Sequence, residues 1–122
     1  MQKFASAFGL FILLATGAQA QTKGCSVPGF QTADHQTAEG KMMVKAGHWC
    51  PVRLGVPLGG IADVTVSKEP RHGSAMVRGY RIIYTPKKGY AGADEFTYVR
   101  NSIDIYGKKA PRTVNMNVQV LQ

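Results

Sequence analysis

The clearest pattern in the chain is its last stretch, where Val114, Met116, Val118 and Val120 alternate with Asn115, Asn117 and Gln119. A period of two turns one side of an extended strand toward a core and the other toward water. The same reading, with glycine and proline as punctuation, predicts strands over Met42–Ala46, His48–Leu54, Ile61–Ser67, Ser74–Arg78, Tyr80–Tyr84 and Asp94–Asn101. Pro51 lacks a ladder donor, so the second of these reads as an edge strand or a bulge. In the third, Ala62, Val64 and Val66 share one parity and Asp63, Thr65 and Ser67 the other. Arg78-Gly79 joins two strands as a hairpin. Thr85-Pro86-Lys87-Lys88-Gly89 is a turn with proline at its second position. About seven short strands, with turn signals roughly every 8–12 residues, predict an all-β sandwich, with a small barrel as the alternative.

No amphipathic helix interrupts this pattern, but the N-terminus departs from it. Met1 to Lys3 carry a positive charge, Phe8 to Ala15 is an apolar run, and Ala18-Gln19-Ala20 has the small-x-small form of a cleavage site. Residues 1–20 read as a signal peptide, with Gln21 as the new N-terminus. The apolar stretch is diluted by Ser6, Thr16 and Gln19 and is too short for a spanning helix of about 20 apolar residues. The expectation is a soluble exported protein with no transmembrane segment after cleavage, periplasmic or secreted. Residues 21–40 lack periodicity and read as an irregular arm; residues 41–122 hold the β domain, one domain's worth of chain.

Export changes how the cysteines are read. The chain has 2 Cys, Cys25 and Cys50, and an even count in an oxidising compartment points to a disulfide that ties the arm to the body. Trp49-Cys50-Pro51 has the start of a thioredoxin-like redox motif, but Val52 and Arg53 follow where a second Cys is needed.

The segment Pro70-Arg71-His72-Gly73, followed by Tyr84-Thr85-Pro86-Lys87-Lys88-Gly89-Tyr90-Ala91-Gly92-Ala93-Asp94-Glu95-Phe96-Thr97-Tyr98, resembles bacterial immunoglobulin-like, cadherin-like modules. Their pattern is P-x-x-G, then Y-x-P-x-x-G-[YF]-x-G-x-D-x-F-x-Y, and Val118-Gln119-Val120 fits their last strand. The resemblance covers about residues 41–121. It implies a seven-stranded immunoglobulin-like β-sandwich and a non-catalytic adhesive, structural or accessory role outside the cytoplasm. Such modules stand in tandem arrays, whereas this chain holds one. The residues read on their own agree. Tyr84, Phe96 and Tyr98 are large rings suited to a core, Gly89 and Gly92 permit a tight connection, and Asp94 can accept backbone N–H bonds from a turn. A calcium site would need six to eight oxygens, and only Asp94, Glu95 and Asp104 lie nearby.

Other constellations are weaker. His35, His48 and His72 with Met42, Met43, Met76 and Met116 lack the spacing of a copper site, so no metal or other cofactor is expected. His72-Gly73-Ser74 lacks a nucleophile elbow, and no phosphate or dinucleotide fingerprint appears, so the chain does not read as an enzyme.

Charge is more informative. Of 15 Lys and Arg only Lys3 lies in the leader, leaving 14 against 7 Asp and Glu, a net of +7. Arg78, Arg81, Lys87 and Lys88 flank one hairpin and the next turn. They are the candidate site for an anionic envelope polymer or an acidic protein partner. Export and the lack of an aromatic ladder argue against nucleic acid. The function expected is a binding or structural module of the cell envelope, and the alternative is a small periplasmic ligand- or metal-carrying protein.

Overall fold

The computed structural model describes residues 24–55 and 60–122, so the expected leader and cleavage site lie outside the described residues. Eight strands follow one another: β1 (Cys25–Ser26), β2 (Gln36–Lys45), β3 (Cys50–Arg53), β4 (Ile61–Lys68), β5 (Gly73–Arg78), β6 (Arg81–Pro86), β7 (Gly92–Ile103) and β8 (Lys109–Leu121). They form two sheets, one of order β1-β2-β8-β7-β4 and one of order β3-β6-β5. β2 runs parallel to β8, and every other pairing is antiparallel. The described chain is all-β, in an arrangement consistent with a β-sandwich.

Period-two patterning builds the core. Met42 and Val44 of β2, Phe96 and Tyr98 of β7, and Val114, Met116, Val118 and Val120 of β8 face inward from the five-stranded sheet. Cys50, Val52, Ala75, Ile82 and Tyr84 meet them from the three-stranded sheet, and all belong to one buried cluster. The Tyr84 and Phe96 rings stack between the sheets, with centroids 5.7 Å apart and planes within 7°. Such offset ring pairs add about 0.5–1.5 kcal/mol to their area burial.

Two sequence expectations change in the folded chain. The strand expected at Met42–Ala46 begins earlier, at Gln36, because residues 36–40 pair with Arg112 to Met116 of β8. In β4 the expected parity breaks. A register shift between Ile61 and Asp63 turns Ala62 outward, while Val64 and Val66 pack against the core on the expected parity and Ile61 joins them. A second shift follows Val66, and an inserted residue of this kind reverses which side chains face inward. The strand with Pro51 does stand at a sheet edge, as its missing donor suggests.

Cys25 and Cys50 form the disulfide, with Cα atoms 5.5 Å apart. It joins β1, on the edge of the larger sheet, to β3, on the edge of the smaller one. The sequence separation is 25, a closure that stabilises by about 3.5 kcal/mol in the chain-entropy model. The double variant Cys25→Ala, Cys50→Ala should lose about that much unfolding free energy in urea. An unchanged midpoint would mean that the arm is held by other contacts.

Candidate anion-binding surface

The segment from Tyr84 to Tyr98 and the turn at Arg71-His72 meet at one buried carboxylate. Asp94 is 8% exposed. Its Oδ1 accepts the backbone N–H of Arg71 at 3.0 Å and of Glu95 at 2.9 Å. Its Oδ2 accepts the backbone N–H of His72 at 3.1 Å and the Tyr84 hydroxyl at 2.7 Å. Four donors fill a carboxylate's roughly four lone-pair positions, so no oxygen lone pair is left for a cation. Burial, and then this bond to Asp94, push the Tyr84 phenol far above its ordinary range. Tyr98, also buried in the core, is pushed up to about 12 by the same loss of water. Gly89 and Gly92 have φ of 82° and 133°, the left-handed side that glycine alone adopts readily. Tyr90, between them, stacks on His72 with centroids 4.1 Å apart. Asp104 caps its own loop, its Oδ1 accepting the backbone N–H of Tyr106 and of Lys108, each at 2.8 Å. These residues fasten turns to strands.

The cationic residues lie elsewhere. Arg78 and Arg81 are opposite partners at the end of the β5–β6 hairpin. Lys87 and Lys88 lie beyond the other end of β6, about 20 Å from Arg81 at roughly 3.3 Å per residue. The sheet adds a residue that sequence reasoning did not include: Arg53 of β3 is the opposite partner of Arg81 on its other side. Arg53, Arg81 and Arg78 therefore form one row across all three strands, exposed on the outer face because Val52 and Ile82 beside them point inward. Neighbouring strands are about 4.8 Å apart, so like charges in such a row repel. None of the three is in an ion pair among the described residues. Two positions along the same face, Pro51, Ile83 and Met76 form a parallel apolar row.

A cleft of about 870 Å³ opens beside this face, where the free edge of β3 meets residues 25–32. Along β7 the inward positions run Phe96, Tyr98, Arg100 and Ser102, all buried. Arg100 is the opposite partner of Arg112 on β8, so two guanidinium groups sit side by side at the base of the cleft. Arg112 has a counter-ion, its Nε donating to Asp34 at 2.6 Å, and its Nη1 donates to the Thr32 carbonyl at 3.0 Å. Arg100 is 8% exposed. Its Nη1 donates to the Gly55 carbonyl at 2.6 Å and its Nη2 to the Thr32 hydroxyl at 3.4 Å. Its Nε has no partner. Burial, and then the Arg112 charge, lower its pKa from the ordinary value, yet a guanidinium stays a cation at neutral pH. One signal for it was readable: an arginine on the same parity as Phe96 and Tyr98.

The histidines and methionines weighed as copper ligands lie in different surroundings. Met42 and Met116 are buried in the core, Met43 and Met76 are exposed, and no group of three or more His, Cys, Asp or Glu side chains suited to a metal occurs among the described residues. No helix among the described residues is long and apolar enough to cross a membrane. Comparison with known proteins gives no matching family model and no matching curated relative.

Proposed function

We propose that the protein is an exported, non-catalytic immunoglobulin-like module of the cell envelope that binds an anionic polymer through the outer face of its smaller sheet. The arginine row carries this reading. Three cations held one strand spacing apart, with no carboxylate among them, repel one another unless a polyanion lies across them. The apolar row beside them offers contact to the uncharged faces of the same polymer. The leader-like N-terminus and the paired cysteines support export, because disulfides persist in oxidising compartments. The immunoglobulin-like part is supported by strand order. Counting β2 as the first strand, β4-β7-β8 follows the C-F-G order of such domains and β3-β6-β5 their B-E-D order. The departure is β2, which lies beside β8 and not beside β3.

Binding to polygalacturonate, a polysaccharide with a carboxylate on each sugar, tests the reading. The mature protein should bind it at low salt and lose affinity as salt rises past the Debye screening range. The variant Arg53→Gln, Arg78→Gln, Arg81→Gln should lose at least tenfold in affinity at an unchanged melting temperature. Lys87→Gln, Lys88→Gln should keep most of it. Equal binding by the row variant and the wild type would overturn the proposal.

A further inference from the structure

We propose that the cleft between residues 25–32 and the edge of β3 is a binding site for a single oxyanion, a carboxylate or a phosphate, carried on an apolar stem. Its base holds the side-by-side pair Arg100 and Arg112, and Arg53 and Arg81 stand at its rim. Of the four arginines that line it, Arg112 is in an ion pair, with Asp34. No acidic side chain lines the cleft among the described residues. A buried cation without a counter-ion is costly, several kcal/mol in effective terms, and Arg100 is such a cation, with no partner for its Nε. Its two bonds go to a carbonyl and a hydroxyl, which orient the guanidinium without neutralising it. An oxyanion supplies the missing charge, and guanidinium groups match the planar or trigonal oxygens of carboxylate and phosphate.

The walls say what the anion is attached to. Phe30, Trp49, Pro51, Tyr98 and Val114 line the cleft, so a ligand that places its charge against the arginines lays its body along rings and aliphatic groups. A cleft of about 870 Å³ falls within the roughly 300–1,000 Å³ range of small-ligand sites. The two readings share Arg53 and Arg81 and part at Arg78, which belongs to the outer row and does not line the cleft.

Trp49 is the chain's 1 tryptophan, so its fluorescence reports occupancy directly. The mature protein is titrated with phenylacetate, phenyl phosphate, inorganic phosphate and benzyl alcohol. Phenylacetate or phenyl phosphate should give a saturable change, and whichever of the two binds more tightly identifies the oxyanion. Inorganic phosphate should bind at least tenfold more weakly than the tighter of the two, and benzyl alcohol should not saturate. Arg100→Gln should weaken binding at least tenfold. Asp34→Asn, which frees Arg112, should tighten it several-fold, an outcome that a purely structural arginine pair would not produce and one that decides the matter if Arg100→Gln fails to fold. Arg78→Gln should leave these titrations unchanged while weakening polygalacturonate binding, so the two proposals fail separately. Saturation by benzyl alcohol equal to that by phenylacetate, no saturation by either charged probe, or unaltered affinity in both Arg100→Gln and Asp34→Asn would overturn the site.

Discussion

Phe96→Ala should lower the unfolding free energy by about 3–5 kcal/mol, the usual cost of truncating a buried phenylalanine. The ring is 0% exposed. It stacks on Tyr84 from the opposite sheet and lies across from Met116 in the β7–β8 pair. Removing it therefore opens a cavity walled from both sheets, with no surface side chain able to fold into the gap. A domain of this size is stable by only about 5–15 kcal/mol, so the variant should unfold at markedly lower urea with its strand content otherwise intact. A loss below about 1 kcal/mol would mean that the two sheets do not close on this ring. Phe96→Leu, which keeps much of the volume, should recover a large part of the loss.

Phe96 was readable from the sequence because local alternation decides which face of a strand is apolar. The same holds for β8, whose valines and Met116 all lie on the expected side. Legibility ended where pairing partners decide. Gln36 to Gly40 have no hydrophobic period, yet they form half of β2 because β8 offers them a parallel edge. Gly40 is part of the reason this edge fits, since a Cβ there would lie 2.7 Å from the Met116 Cε. Ala62 was placed on the wrong face because a bulge is set by the partner strand and leaves no mark on the alternation.

The cationic surface divides in the same way. Arg78 and Arg81 were legible as a pair because a two-residue hairpin turn fixes their register. Arg53 joins them only through the pairing of β3 with β6, some 28 residues away in sequence. Lys87 and Lys88 looked close along the chain, but an extended strand carries them away from Arg81. Arg100 and Arg112 entered the charge count without being singled out; the parity of Arg100 with Phe96 and Tyr98 was the one readable signal, and the arm residue Thr32 and the pairing of β7 with β8 bring the two together.

Asp94→Ala should destabilise the fold about as much as the loss of Phe96, by about 3–5 kcal/mol, through polar chemistry alone. Hydrogen bonds to a charged group contribute about 1.5–3 kcal/mol each, and a buried donor left without a partner costs about 1–3 kcal/mol. Asp94 accepts from Arg71, His72, Glu95 and Tyr84, and the Tyr84 side chain is fully buried. Truncation thus strands the Tyr84 hydroxyl in the core and frees the turn that links β4 to β5. Asp94→Asn keeps the shape and should still be costly. Both carboxylate oxygens face donors only, so an amide must set its own N–H groups against two of them. The double variant Tyr84→Phe, Asp94→Ala removes the stranded hydroxyl and should be less destabilised than the sum of its singles, by about 0.5–3 kcal/mol of coupling. Urea unfolding of the four proteins measures that coupling. Strict additivity would mean that the Tyr84 hydroxyl and the carboxylate do not act together, and that the motif's aspartate serves the turn alone.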